Sequence, residues 1–170
     1  MVVWIIGLSG SGKTTLSEEV ASLLRQHDRT VAIVDGDVIR QVFGNDVDHS
    51  LEGRRRNADR ICALCRFLES QEVDVICAIL SMFRESRRWN RENLQNYYEV
   101  FVDAPIEQLI LRDSKGLYGK YLRGETNLVA GMDLEFPIPE NADMIIKNNG
   151  DRSAFLKNAQ YIADHVRGIL

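Results

Sequence analysis

Residues Gly7-Leu8-Ser9-Gly10-Ser11-Gly12-Lys13-Thr14 stand between an apolar run, Val2-Val3-Trp4-Ile5-Ile6, and a polar-apolar segment that opens Thr15-Leu16-Ser17-Glu18-Glu19-Val20-Ala21. That order predicts a strand, a glycine-rich turn and a helix. The spacing G-x-x-x-x-G-K-[ST] in that context is a phosphate-binding loop. Its glycines let the backbone curl until successive N–H groups point at phosphate oxygens, and the helix start adds its positive dipole end. Lys13 is expected to reach the β- and γ-phosphates, and Thr14 to put its hydroxyl on Mg²⁺. The candidate donor-binding residues are Gly7, Ser9, Gly10, Ser11, Gly12, Lys13, Thr14 and Thr15.

The rest of the chain alternates in the same way. Strands are expected at Val2–Ile6, Val31–Val34, Val73–Ile79, Glu99–Val102 and Met144–Ile146. Helices are expected at Lys13–His27, Arg54–Gln71, Arg84–Gln95, Pro105–Arg112 and Ser153–Gly168. Nearly continuous apolar strands belong to a sheet covered on both faces. Strand-helix alternation therefore predicts an α/β fold, with a parallel five-stranded sheet, helices on both faces and ligands beyond the carboxyl ends of the strands. At 170 residues a single domain is expected. Asp113–Pro139 is polar, carries four glycines and two prolines, and lacks a period. Long irregular segments in compact domains are usually functional, so it is read as a mobile lid.

A net charge of −4 gives no electrostatic case for nucleic acid or an anionic membrane as partner. No apolar run approaches a membrane span, and no basic region precedes the first strand, so the expected location is cytoplasmic. Cys62 and Cys65 form a C-x-x-C, but they fall in a helical pattern with Ile61, Leu64, Phe67 and Leu68. With Cys77 they read as reduced, buried thiols.

A second chemical cluster follows the second strand. In Asp35-Gly36-Asp37, one carboxylate can orient a hydroxyl and accept its proton, while the other holds Mg²⁺ or a neighbouring cation; a plain Asp-Gly turn is the alternative. Arg54 and Asn57, three residues apart, share a helix face that can clamp an anion or simply face water. Where many enzymes with such a loop carry an aspartate after the third strand, this chain has Leu80-Ser81. Ser81 is then a ligand contact, and Mg²⁺ rests on Thr14, nucleotide oxygens and Asp35. Arg112 and Lys115 open the irregular segment, where cations suit developing phosphoryl charge.

Together these residues resemble the adenylylsulfate (APS) kinase family. The matching pieces are G-L-S-G-S-G-K-T, D-G-D-V-I-R at Asp35–Arg40, R-x-x-N at Arg54–Asn57, E-V-F-V-D-A-P at Glu99–Pro105, R-D-S-K-G-L-Y at Arg112–Tyr118 and P-E-N at Pro139–Asn141. The resemblance implies the P-loop nucleoside triphosphate hydrolase fold and an enzyme that uses MgATP to phosphorylate the ribose 3′-hydroxyl of a small nucleotide, with a homodimer as a further expectation. It implies Asp35 as the hydroxyl-activating carboxylate, Lys115 as support for the transferring phosphate, Arg112 on the ATP, and Asp37, Arg40, Arg54 and Asn57 on the acceptor. The departures fall on the acceptor's base. Family members carry D-L-G-F-S where this chain reads Asp46-Val47-Asp48-His49-Ser50, and G-F-[ST]-G-[IV]-D where it reads Leu128-Val129-Ala130-Gly131-Met132-Asp133. His49 and Val129 thus replace two phenylalanines that sandwich adenine in the family. The resemblance then points to a divergent member, with cytidine diphosphoramidate as acceptor in capsule modification. An ordinary APS kinase with a drifted clamp is the alternative. A non-catalytic nucleotide-binding protein is a reading of another class, and a GTP switch lacks its [NT]-K-x-D signature.

Overall fold

A computed structural model describes residues 1–169. Five strands, β1 (Val2–Ile6), β2 (Val31–Asp35), β3 (Asp74–Ile79), β4 (Tyr97–Asp103) and β5 (Met144–Lys147), form one sheet in the order β2-β3-β1-β4-β5. Every pairing is parallel. Seven helices connect or flank them: α1 (Lys13–Arg25), α2 (Gly36–Val42), α3 (Leu51–Ser70), α4 (Arg84–Asn93), α5 (Ile106–Arg112), α6 (Leu117–Leu122) and α7 (Arg152–Val166).

The central strand shows why the sheet is covered twice. Successive side chains of a strand point to opposite faces. Val3 and Ile5 enter one core with Leu16, Val20 and Leu24 of α1 and Phe155, Ala159 and Ile162 of α7. Val2, Trp4 and Ile6 enter the other with Ile61, Cys62 and Cys65 of α3. Fully burying a large apolar side chain stabilises by about 1.5–3 kcal/mol, and all five residues of β1 are at 0 % exposure. The loop leaving Ile6 therefore springs from the firmest part of the molecule. The three thiols are buried, as expected from their helical and strand settings.

Local chemistry sets the helix starts. Ser50 caps α3, its hydroxyl accepting from the Gly53 N–H at 3.1 Å, so this helix begins three residues before the expected Arg54. Asp35 caps α2 by accepting from the N–H groups of Asp37 (2.8 Å) and Val38 (3.4 Å). Side-chain oxygens at this position satisfy donors that a helix start leaves open. The Asp-Gly-Asp segment is thus a helix start and not a free turn, and α2 is an element that the periodicity did not reveal.

The segment 113–139, expected to be irregular, also differs from expectation. It contains α6, capped by the Asp113 carboxylate, which accepts from the N–H groups of Tyr118 (3.0 Å) and Gly119 (2.8 Å). Asp133 closes a second turn by accepting from the N–H groups of Leu128 and Val129. Tyr118 and Val129 are buried with Ala104 and Leu109 in a small core of their own. No helix among the described residues is long and apolar enough to cross a membrane.

Candidate active site

All five strands run the same way, so their carboxyl ends open on one side of the sheet. The glycine loop follows β1, Asp35 ends β2, Ser81 follows β3, the segment to α5 and α6 follows β4, and Asn148 follows β5. The strand order makes β1 the point where crossovers turn in opposite directions, the usual ligand crevice of such sheets.

The loop is built for backbone contact. A Cβ on Gly7 would lie 2.6 Å from Ser11 Oγ and 2.8 Å from the Val102 carbonyl. Gly12 has φ +103°, and its Cβ would meet Asn148 Nδ2 at 2.9 Å. Neither position admits a side chain. The Ser11 N–H turns inward to the Leu8 carbonyl at 3.2 Å, while none of the described residues accepts from the N–H groups of Gly10, Gly12 or Lys13. Open donors at a helix start form an anion site. Thr15 lies in the first turn of α1, and Arg112 donates to the Asn148 carbonyl at 3.4 Å, beside the loop.

Lys13 Nζ donates to the Leu8 carbonyl at 2.7 Å. Burial in the loop, then repulsion from Lys115, lower its pKa to about 8. A polyphosphate here favours the ammonium form, so binding must return a proton to Lys13 when the pH is above that value. Calorimetry of ATP-analogue binding in buffers of different ionisation enthalpy is expected to show uptake of about 0.8 proton at pH 8.5 and much less at pH 7. Uptake that does not change between the two pH values would contradict this assignment.

Thr14 Oγ1 donates to Asp35 Oδ2 at 3.3 Å. Asp35 Oδ1 holds the start of α2, which leaves Oδ2 as the oxygen facing the loop. A hydroxyl and one carboxylate oxygen, both hard donors, fit Mg²⁺, which keeps most of its shell as water and phosphate oxygen. Asp37 pairs with Lys115 at 2.8 Å across the gap between α2 and the turn that leads into α6. Burial would raise the Asp37 carboxyl, but the Lys115 hydrogen bond together with the charges of Lys115, His49 and Arg40 outweighs it and the pKa falls. The same bond raises Lys115.

Asp37, Arg40, His49, Arg54, Asn57 and Ser81 line one cleft next to this pair. The two arginines are less free than expected. Arg40 Nη1 donates to the carbonyls of Val47 (3.1 Å) and Asp48 (2.7 Å). Arg54 donates to those of His49 (2.8 Å) and Leu128 (2.9 Å). Part of each guanidinium shapes the 47–49 turn, and the remaining N–H groups are left for an anion. Asn57 Nδ2 is tied to the Gly36 carbonyl at 3.1 Å. Ser81, at φ +54°, accepts from Trp4 Nε1 at 3.0 Å. Burial, then the charges of Arg40 and Arg54, lower the His49 pKa and favour its neutral ring.

Val129 does not join them. It is 2 % exposed, packs in the small core with Ala104, Leu109 and Tyr118, and is absent from the cleft lining. The expectation that its side chain faces an acceptor base is not met, because packing against Leu109 and Tyr118 takes it the other way. The aromatic that does line the cleft is Phe83, with Arg55 stacked on its ring at 4.4 Å. Its place just beyond the carboxyl end of β3 was the signal that sequence reading passed over.

The sequence model of the family described as adenylylsulphate kinase matches residues 1–147. The chain is 38 % identical over 148 residues to a cytidine diphosphoramidate kinase of Campylobacter jejuni, covering 87 % of this chain and 86 % of the relative. It is also 38 % identical over 149 residues to an adenylyl-sulfate kinase of Chloroflexus aurantiacus, covering 88 % and 80 %. The Mycobacterium tuberculosis APS kinase CysC, solved in complex with AMPPNP and APS, superposes with a TM-score of 0.89 at 30 % identity, covering 98 % of this chain and 96 % of that one.

Proposed function

The chain belongs to the adenylylsulphate kinase family, and on that premise we propose that it transfers the γ-phosphoryl group of ATP to the ribose 3′-hydroxyl of cytidine diphosphoramidate. That it is an ATP-dependent phosphotransferase of the APS-kinase type follows from the family. The acceptor is the further step, and one observation carries it: the anion-binding cleft is retained while the aromatic sandwich is not. His49 offers one flat neutral face, and Val129 is packed under the lid. Stacking on an aromatic is worth about 1–3 kcal/mol per base, so removing faces penalises a large purine most. Relatives of equal identity carry both activities in their names, so overall similarity does not choose between them.

In this reading the open N–H groups of the loop, Lys13 and Thr14 hold the triphosphate. Mg²⁺ held by Thr14 and Asp35 would neutralise phosphate charge. Asp35 Oδ2 accepts the proton of the acceptor hydroxyl as the oxygen attacks phosphorus. Lys115, steered by Asp37, stands where charge develops. Phosphoryl transfer depends chiefly on such positioning and charge stabilisation. Arg40 and Arg54 take the acceptor's anionic group with their free N–H donors, and Asn57 and Ser81 shape the floor.

The test is kcat/KM for cytidine diphosphoramidate against adenylylsulfate under the same MgATP. A preference for the cytidine compound of at least about tenfold is expected, one lost stacking face being worth that much. Phe83 supports the second reading, an ordinary adenylylsulfate kinase, because it keeps one aromatic in the cleft. A ratio favouring adenylylsulfate would establish that reading instead. His49→Phe is the informative swap; Val129→Phe would overpack a closed core.

A further inference from the structure

The lid meets the phosphate loop through a buried phenol. Tyr118, on α6, is 1 % exposed, and its hydroxyl donates to the Ser9 carbonyl at 2.9 Å, across 109 residues. Beside it the lid packs onto the loop's one large apolar side chain. Leu8 belongs to the apolar cluster of Tyr118 and Val129, and a Cβ on Gly131 would come within 3.0 Å of Leu8 Cδ1. Burial pushes the Tyr118 phenol up to about 12, so it remains a proton donor at any physiological pH.

The Ser9–Gly10 peptide is trans, as are the others among the described residues. In a trans peptide the C=O and N–H point in opposite directions. Drawing the Ser9 oxygen towards the lid therefore turns the Gly10 N–H away from it, to a side where none of the described residues accepts the bond. Gly10 has φ +75° and only Leu109 within 4 Å of a built Cβ. Glycine passes between positive and negative φ at little cost, so nothing in Gly10 itself stops this peptide from turning over. A turned peptide would aim a carbonyl oxygen, not an N–H, at a bound phosphate.

We propose that Tyr118 is a positioning residue for the phosphate donor: its hydroxyl locks the Ser9–Gly10 peptide so that the Gly10 N–H faces the triphosphate. The lid is then part of the donor site as well as its cover. Its base, held by Tyr118 and Leu8, stays with the loop. This inference rests on the phosphate-loop reading above and deepens it.

Tyr118→Phe removes one oxygen and keeps the ring in its core. The probe is inorganic tripolyphosphate, which has no base or sugar, with adenosine as control. Loss of one preorganised hydrogen bond is expected to weaken tripolyphosphate about fivefold, leave adenosine unchanged, and raise the KM for ATP without moving the acceptor KM. Damage confined to lid packing would instead lower the melting temperature and raise the acceptor KM. Unchanged tripolyphosphate affinity in a folded variant would overturn the proposal while leaving the phosphate-loop reading intact. Failure of the wild-type protein to bind tripolyphosphate would overturn both. A measurement on the wild-type chain guards against a variant that does not fold. The Gly10 amide resonance must shift on adding tripolyphosphate, and an unmoved Gly10 amide sinks the idea.

Discussion

Lys13→Ala is expected to lower kcat by about a thousandfold or more while leaving the fold intact. Removing a single preorganised donor at a developing anion costs about 10²–10³ in rate, and Lys13 adds a full charge to its hydrogen bond. Lys115, the cation whose charge it feels, is engaged with Asp37. The fold should not suffer, because Ala is the best helix former for the first residue of α1. The sign of the pKa shift agrees. A lysine lowered to about 8 is held less well as an ammonium in the folded chain than in the unfolded one. That penalty is full below pH 8 and fades as the pH rises towards the unfolded value. The variant should thus melt no lower than wild type at pH 7. Steady-state turnover and a thermal melt check both halves. Near wild-type turnover would remove Lys13 from the mechanism.

Asp35→Asn is expected to cost about 10²–10⁴ in kcat, the range for a general base, with the KM for ATP within about threefold of wild type, as for a group acting mainly in the transition state. Asparagine is the clean replacement. Asp35 caps α2 through Oδ1, and Asn caps almost as well, whereas Ala would lose about 1 kcal/mol of helix stability. The variant so separates Oδ2, which faces Thr14, from the structural oxygen. A large rise in the KM for ATP with kcat unchanged would remove the general-base role and leave Asp35 holding Mg²⁺ alone.

Much of this site is legible in the order of residues because the phosphate loop is a local device. Its glycines, lysine and threonine lie within eight positions, and each acts through its own backbone or a short side chain. β1 and α1 are also legible, since a five-residue apolar run and a helical period need no partner to be recognised. The short helices α2 and α6 escaped because seven and six residues are too few for a period. Each also begins beside a glycine, which read as a turn. Gly116, at φ +65°, does make a turn, but one that leads into α6. Val129 was misread for a different reason. Its place in a lid motif says which segment it occupies, while the direction of its side chain was decided by Leu109 and Tyr118. Phe83 escaped because an aromatic beyond a strand end has no spacing that distinguishes it from core.

The order of the five strands and of the five expected helices, the phosphate chemistry after β1 and the loss of the aromatic pattern are determined by the sequence alone. They depend on neighbours a few residues apart. Tertiary structure alone decided which distant groups meet. Thr14 reaches Asp35 across 21 residues, Arg54 reaches Leu128 across 74, Lys115 reaches Asp37 across 78 and Tyr118 reaches Ser9 across 109. Parallel strands joined by crossovers bring those ends together only once every strand has found its neighbour and register. No local period encodes that outcome, because it is a property of the closed sheet and the two cores that cover it.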